Sequence, residues 1–270
     1  MTAEPGSRWT GGPALGRAGA VATCVLAPNP GPMTLEGTNS WVLAPPGGGL
    51  ALVVDPGPLH AGHLAAVLDV VRGLGARVEA VLLTHGHPDH SEGAARFAEL
   101  SGAPVRALDP RHRCGGEGLT EGDRISAGDL EVQVLTTPGH TSDSLCFVLP
   151  DVAAVLTGDT VLGRGSTVVA HPDGRLAEYL GSLDRLAALA AELPLESVLP
   201  GHGPAVADPL LLVESYRRHR RQRLDQVRSA LAAGASSPAE VVATVYADVD
   251  RSLWPAAELS VRAQLEYLGW

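Results

Sequence analysis

One short segment of the sequence carries an unusual density of side chains that bind metal ions. His85, His87, Asp89 and His90 fall within six residues, directly after the apolar run 81–83. Imidazole nitrogens and carboxylate oxygens are ligands that a borderline divalent ion such as zinc prefers. Alternate residues of an extended segment share a side, so His85 and His87 point together, whereas Asp89 and His90 lie at the turn into a predicted helix. The segment therefore offers two directions of ligation.

Single histidines and aspartates recur in the same setting further along the chain. His140, Asp159 and His202 each follow a predicted strand and stand beside a glycine. Each alone is typical of a turn or capping residue. Together with the first segment they give seven candidate ligands, which indicates a site for two divalent ions rather than a solvated polar turn.

The elements that must position these residues alternate between short apolar runs and helical patterns. The predicted strands are 21–26, 40–43, 50–54, 78–83, 105–108, 131–136, 145–149, 152–156 and 197–199. Helical spacing of apolar residues appears at 64–71, 94–100 and 176–189. Strands and helices mixed at irregular intervals predict an α+β fold in which helices cover sheets.

The chain changes character after residue 207. No strand pattern is evident there, and three helices are predicted over 208–233, from 237 onward and over 256–268. We predict three parts: a flexible Gly/Pro-rich segment at 1–20, a catalytic domain at 21–207 and a helical C-terminal domain at 208–270.

Composition limits the chemistry and the cell compartment. The chain has 270 residues, a formal net charge of -10 and no lysine, so mechanisms that need a lysine amine are excluded. The acidic balance argues against a broad nucleic-acid-coating surface. The three cysteines are far apart, and neither a signal peptide nor a membrane-length apolar run is visible. We expect a cytoplasmic protein with no membrane partner, while the oligomeric state stays open.

The ordered motifs THGHPDH at 84–90, PGHT at 138–141, GD at 158–159 and PGHG at 200–203 resemble the metallo-β-lactamase superfamily. The resemblance spans about residues 20–205 and implies a four-layer αββα sandwich with the site at one edge of the paired sheets. It implies two divalent ions, Zn²⁺ with Mn²⁺ as the alternative, and hydrolysis by a metal-bridging hydroxide that Asp89 orients. The implied ligands are His85, His87 and His140 for the first ion and Asp89, His90 and His202 for the second, with Asp159 bridging both.

A narrower resemblance concerns the segments around the site. Residues 29–40 and 157–167 are similar to those of the lactamase-like endoribonucleases of mitochondria and many bacteria, which also carry a winged-helix-like tail. Thioesterases that act on carrier-bound polyketides form a related branch. One departure is that Ser142, Asp143 and Ser144 follow His140, where relatives often have a further acidic residue and histidine.

Residues outside the ligand set are assigned supporting roles. Asp55 resembles a buried aspartate that accepts an N–H from a ligand histidine, and Asp143 is expected to support a ligand in a similar way. His60 and His63 are expected at the surface. The arginine-rich run at 217–223 is either a solvated helix face or a phosphate track that feeds the metal site. The candidate substrate-binding residues are Asn39, Thr167, His171, Arg217, Arg218 and Arg221.

Three classes of function are compatible with these features. The leading one is an endoribonuclease-like phosphodiesterase on single-stranded RNA, which the narrower resemblance and the arginines favour. The second is a hydrolase of thioesters, acylated carrier proteins or small lactones and esters, which the acidic net charge and the lack of a dedicated RNA module favour. The third, a non-enzymatic nucleic-acid binder, would leave the metal ligands without a role.

Overall fold

The computed structural model of the chain describes residues 8–9 and 13–270, and its strands form two six-stranded sheets. The first sheet contains β1 (Arg8–Trp9), β2 (Ala22–Leu26), β3 (Asn39–Leu43), β4 (Leu50–Val54), β5 (Arg77–Leu82) and β6 (Val105–Arg106), in that spatial order. The second contains β7 (Arg124–Ala127), β8 (Leu130–Thr136), β9 (Leu145–Leu149), β10 (Ala154–Gly158), β11 (Ser197–Pro200) and β12 (Val206–Ala207).

Helices connect the strands that run parallel. The described helices are α1 (Ala61–Gly73), α2 (Pro88–Ser91), α3 (Ala94–Ser101), α4 (Leu176–Glu192), α5 (Pro209–Ala232), α6 (Pro238–Val245) and α7 (Trp254–Leu268). The β4–β5 pair, joined through α1, and the β10–β11 pair, joined through α4, are parallel, whereas hairpin-linked neighbours are antiparallel. Within the described part of the chain, no helix combines the length and apolarity needed to cross a membrane.

The two sheets pack face to face, and helices cover their outer faces. Trp41 and Phe147 lie in the core between the sheets. The next residue along each strand faces outward, as the period of an extended chain requires: Val42 packs with Phe97 of α3, and Val148 packs with Tyr179 of α4. The predicted α+β class and αββα layering are therefore confirmed.

The C-terminal residues 208–270 contain three α-helices joined by short turns and no strand, as predicted. Their own core includes Val227, Val241 and Val261. The first part of α5 contributes Val213 and Tyr216 to the core of the catalytic layers. The division of the chain at residue 208 stays a prediction, because α5 packs into both cores.

The structure differs from the predicted elements at several points. The segment 1–20, predicted to be flexible, lies partly outside the described residues, but Pro13–Ala20 form a 3-10 helix that buries Leu15 and Ala18 against the inter-sheet core. The predicted strand at 152–156 begins later, because Pro150–Val152 form a 3-10 turn. The short strands β7 and β12 carry too few apolar residues for their pattern to stand out.

Candidate metal centre

The seven predicted ligands lie together at one edge of the paired sheets. The first sheet supplies four of them, because β5 ends at Leu82 and the chain then passes through His85 and His87 into the short helix α2, which carries Asp89 and His90. The second sheet supplies His140 after β8, Asp159 after β10 and His202 after β11. The carboxyl ends of strands from both sheets therefore converge on one place.

Close backbone approach makes glycine necessary beside two of these residues. A Cβ atom on Gly201 would lie 2.5 Å from Oδ1 of Asp159 and 2.8 Å from Cε1 of His90. Gly139 has a φ of 128°, and a Cβ there would lie 2.2 Å from the backbone nitrogen of Tyr179. A side chain at position 201 would displace Asp159 or His90, and one at position 139 would push the loop that carries His140 away from α4.

The donor atoms form two neighbouring groups. In the first, Nε2 of His85 lies 3.0 Å from Nδ1 of His87, which lies 3.1 Å from Nε2 of His140. In the second, Nε2 of His202 lies 3.3 Å from Nε2 of His90 and 3.2 Å from Oδ2 of Asp89.

Asp159 stands between these two groups. Its Oδ2 lies 3.7 Å from Nε2 of His140 in the first group and 3.3 Å from Nε2 of His202 in the second. Its Oδ1 is buried without a hydrogen-bond partner. Converging imidazole nitrogens and an unpartnered buried carboxylate oxygen fit a pair of divalent ions, because bound ions would satisfy these atoms at once.

In each buried histidine of the cluster, the ring nitrogen that points away from the other ligand atoms lies against an oxygen. Nδ1 of His140 lies 2.7 Å from the carbonyl of Val168, and Nδ1 of His202 lies 3.1 Å from the carbonyl of Gly37. A carbonyl can only accept, so these Nδ1 atoms carry the proton and the Nε2 atoms are the ones available for a metal.

Asp55 holds the corresponding nitrogen of His90. Its Oδ2 lies 2.9 Å from Nδ1 of His90, and its carboxylate also accepts from the backbone N–H and the hydroxyl of Thr84. The hydroxyl of Thr84 lies 3.0 Å from Nδ1 of His85. Asp55 therefore has the contact that the sequence analysis expected of it, whereas Thr84 was not recognised.

Burial and charge divide the histidines into two electrostatic classes. Burial lowers the pKa of His85 well below its ordinary value and that of His140 to about 4, so both side chains are neutral near neutral pH. Burial also acts on His90 and His202, but nearby carboxylates outweigh it and raise the pKa of His202 to about 9 and that of His90 above its ordinary value.

The two carboxylates of the cluster stay ionised. Burial alone would raise their pKa values, but His202 and His90 lower the pKa of both Asp89 and Asp159 well below the ordinary range. A dication bound to the second group would take the place of the positive charge that protons give His90 and His202.

The other predicted residues are distributed over several places. Thr167 lies at the cluster, with its hydroxyl 3.2 Å from Nδ1 of His140. Asn39 is buried and donates to the carbonyls of Pro200 and Gly203, so it ties β3 to the His202 loop. Asp143 accepts from the hydroxyl of Thr141 and lies in a separate group with Asp109 and His112.

His171 and the three predicted arginines are not brought to the cluster. The backbone N–H of His171 donates to the carbonyl of Leu259. Arg217 is paired with Asp184 and Glu214 and shares a separate cavity with Arg221, while Arg218 is exposed.

One further expectation is wrong. His63 is buried, not at the surface, and its Nε2 lies 2.8 Å from the hydroxyl of Ser40. It lies on the face of α1 that packs against the sheet, beside the buried residues Leu64 and Val67, so the packing of this face also buries His63. The helical position relative to these apolar residues is the signal that could have identified it.

A cavity of about 440 Å³ opens over the cluster. His87, Asp89, His140, Asp159 and His202 line one end of it. Apolar side chains line the rest of the cavity. They come from the catalytic layers and from the C-terminal segment 208–270, and include Leu162, Val168, Val249, Leu253, Ala256 and Leu259. His219, Arg220 and Arg223 of α5 also face it, and they were not among the predicted site residues.

The fold and the cluster agree with a family assignment. A family model for the metallo-beta-lactamase superfamily matches residues 33–202, and the chain belongs to that superfamily. A model for the beta-lactamase associated winged helix domain matches residues 237–268. The family expected from the sequence is confirmed, and the protein is an enzyme of the metal-dependent hydrolase type.

Several known proteins are similar to this chain over most of its length. The lactamase-like protein vrtG of Penicillium aethiopicum is 30% identical over 243 residues, which cover 90% of this chain and 76% of the relative. An atrochrysone carboxyl ACP thioesterase of Aspergillus fumigatus is 32% identical over 241 residues, covering 82% and 72%. The crystal structure of a beta-lactamase domain protein from Burkholderia ambifaria shares the fold, with a TM-score of 0.79 at 24% identity and coverage of 100% of this chain and 89% of that one.

Proposed function

We propose that this protein is a dinuclear metal-dependent hydrolase of thioesters, including acyl groups bound to a carrier protein. His85, His87 and His140 would hold one ion, Asp89, His90 and His202 the other, and Asp159 would contact both. The nitrogen-rich first group favours Zn²⁺ over a harder ion such as Mn²⁺.

The residues of this chain divide the work of hydrolysis between them. Bound divalent ions supply Lewis-acid polarisation of the scissile carbonyl and lower the pKa of the attacking water. Asp89 lines the cavity, and its side chain is 26% exposed, which gives it access to that water. Its strongly lowered pKa suits a carboxylate that orients the water by accepting a hydrogen bond, rather than one that keeps the proton.

The observation that carries the choice of substrate is the apolar cavity beside the cluster. An acyl chain placed along Val249, Leu253 and Leu259 would have its thioester carbonyl at the end lined by the histidines. Apolar walls stabilise a hydrocarbon group by removing its surface from water. The name of the Aspergillus fumigatus relative, an ACP thioesterase, supports the same substrate class.

Hydrolysis of single-stranded RNA is the second candidate. The observation that favours it is the basic side chains on the cavity, namely Arg220 and Arg223 inside it and Arg164 at an exposed position. Arg217, Arg218 and Arg221, which the sequence analysis expected to form a phosphate track, do not line this cavity. RNA is therefore the weaker candidate.

Parallel turnover assays separate the two candidates. The full-length protein, loaded with Zn²⁺ or Mn²⁺, is assayed on acyl thioesters of increasing chain length and on labelled single-stranded RNA, each with a chelator control. We expect chelator-sensitive thioester hydrolysis that becomes more efficient as the acyl chain lengthens. RNA cleavage without thioester turnover would overturn the substrate assignment, and chelator-resistant hydrolysis would overturn the metal assignment.

A further inference from the structure

Arg220 occupies a position in α5 where an apolar residue is expected. The buried residues of this helix include Val213, Tyr216, Leu224 and Val227, which repeat at helical spacing, and Arg220 lies on the same buried stripe with 5% of its surface exposed. A charged side chain on the buried stripe of a helix needs compensating partners, because removing a charge from water is unfavourable.

The partners that the structure provides for Arg220 are a backbone carbonyl and an aromatic ring rather than a carboxylate. Nη2 donates to the carbonyl of Thr167 across 2.6 Å, and the guanidinium carbon lies 4.8 Å from the ring centroid of Tyr179. Nε is buried and has no hydrogen-bond partner. Among residues 8–9 and 13–270, no carboxylate oxygen lies within 4.0 Å of the guanidinium nitrogens.

Arg223 repeats this situation one helical turn later on the same cavity. Its guanidinium carbon lies 4.7 Å from the ring centroid of Tyr246, and Nη1 donates to the carbonyl of Val245 and to Gln226. It too has no carboxylate within 4.0 Å among the described residues. Arg217 on the same helix differs, because it is paired with both Asp184 and Glu214.

His219 adds a neutral polar group beside the two cations. Burial, followed by the charges of Arg220 and Arg223, lowers the pKa of His219 to about 4. Its Nδ1 is buried without a partner.

The positive charges of Arg220 and Arg223, at positions i and i+3 of the helix, repel each other. Both side chains face the cavity that the metal cluster also lines.

We propose that Arg220 and Arg223, which line the same cavity as the metal cluster, form an anion-binding subsite that recognises a negatively charged oxygen group on the substrate. This inference rests on the proposed function and narrows its substrate class to anionic thioesters. The shared chemistry is that of a carboxylate or a phosphate monoester, both of which guanidinium groups bind well. The anion is either a carboxylate on the acyl group or the phosphate of a phosphopantetheine arm.

Binding of product analogues tests the subsite without relying on turnover. Calorimetric titration of the full-length, metal-loaded protein compares linear dicarboxylates, from succinate to suberate, with monocarboxylates of the same chain length. Both members of each pair offer one carboxylate to the metal cluster, so the difference reports on the second carboxylate. A second arm compares 4′-phosphopantetheine with pantetheine, which identifies the phosphate as the source if that pair shows the preference.

We expect the anionic member of at least one pair to bind about tenfold tighter or more, as charge-assisted hydrogen bonds predict. Arg220→Gln and Arg223→Gln should each reduce this preference severalfold. Arg221→Gln, at an exposed position that does not line the cavity, is the matched control and should retain it.

The outcomes distinguish this inference from the proposed function. Equal binding within every pair, or a preference that survives both cavity variants, would overturn the anion subsite. If Arg220→Gln fails to fold, as its thermal unfolding would reveal, Arg223→Gln and the wild-type ligand pairs still decide. A clear anion preference without any thioester turnover would remove the proposed substrate and leave the subsite in place.

Discussion

The hydroxyl of Thr38 donates a hydrogen bond to Oδ2 of Asp89 across 3.0 Å. The side-chain amide of Asn29 donates to the same hydroxyl oxygen, so the hydroxyl proton is directed to the carboxylate. Thr38 is fully buried, and its backbone N–H is held by Oδ1 of Asn29. This relay, a chain of two hydrogen bonds from Asn29 through Thr38 to Asp89, holds in place the carboxylate that we expect to orient the attacking water.

Replacing Thr38 tests that relay. Thr38→Val keeps the shape of the side chain but removes the donor, so Asp89 loses a charge-assisted hydrogen bond. We expect kcat to fall about tenfold or more on a thioester substrate, while bound metal stays close to the wild-type amount. Thr38→Ser retains the hydroxyl and should recover most of the rate. A Val variant as fast as wild type would mean that Thr38 does not position Asp89.

Asp55 supports metal binding from behind the cluster. Asp55→Asn replaces an acceptor of three hydrogen bonds by a neutral amide, which weakens the hold on Nδ1 of His90. Loss of such a supporting carboxylate lowers metal affinity by about 10- to 100-fold. Zn²⁺ affinity measured by competition with a chelator checks this. Asp129→Asn, at an exposed position outside every candidate metal group, is the control with expected wild-type affinity. Equal affinities in both variants would contradict the role of Asp55.

The apolar wall should set the preference for acyl chain length. Leu259 is 41% exposed and lines the cavity, so Leu259→Ser removes apolar contact without opening the core. The variant should lose roughly half of the binding free energy that a buried leucine side chain contributes. This loss predicts an increase in KM of about fivefold for an octanoyl thioester. KM for an acetyl thioester should not change. Leu211→Ser, at a 61% exposed position away from the cavity, is the control; an equal effect of both variants would argue against the acyl channel.

Protonation of His63 should destabilise the fold in mild acid. Burial, together with the nearby His60, lowers the pKa of His63 from 6.5 to about 4 in the folded protein. Above the unfolded pKa the residue is neutral in both states and contributes no pH dependence. As pH falls through 6.5 the unfolded chain gains a proton that the folded chain does not, so stability declines until about pH 4.

The predicted loss from this residue is about 2 kcal/mol between pH 7 and pH 5. Urea unfolding at both pH values measures it. In His63→Gln, the pH-dependent loss should be smaller than in the wild type by about that amount, since other titrating groups act in both proteins. An identical pH dependence would show that His63 titrates normally.

The ligand loops were predictable because each lies at the end of an apolar strand. His85 and His202 each follow shortly after the end of an apolar strand. Because neighbouring strands end at a common edge of a sheet, the local sequence pattern is enough to predict that these side chains lie at that edge. The contacts that orient the histidines are harder to predict from the sequence. His202 and His140 donate to the backbone carbonyls of Gly37 and Val168, and the positions of these carbonyls depend on loop conformation rather than on residue type.

The arginine helix shows where sequence reasoning needs register as well as composition. The composition of 217–223 predicts one basic surface, either a solvated helix face or a phosphate track, yet its members face different ways. Arg220 lies on the stripe of Tyr216 and Leu224, whereas Arg217 points to Asp184 on α4. Assigning the apolar stripe of α5 first would have separated Arg220 from its neighbours. The pairing with Asp184 could not be foreseen, because it depends on how α4 and α5 pack.

Metal stoichiometry and activity, measured on one sample, decide whether the protein works as a dinuclear metal enzyme. The purified full-length protein is equilibrated with Zn²⁺, its bound metal is determined by elemental analysis, and thioester turnover is measured before and after chelation. We predict two ions per chain, loss of turnover on chelation and recovery on re-addition of metal, with fewer bound ions in His87→Ala and Asp159→Ala. Full thioester turnover by the metal-free protein, or unchanged metal content in both variants, would contradict this prediction.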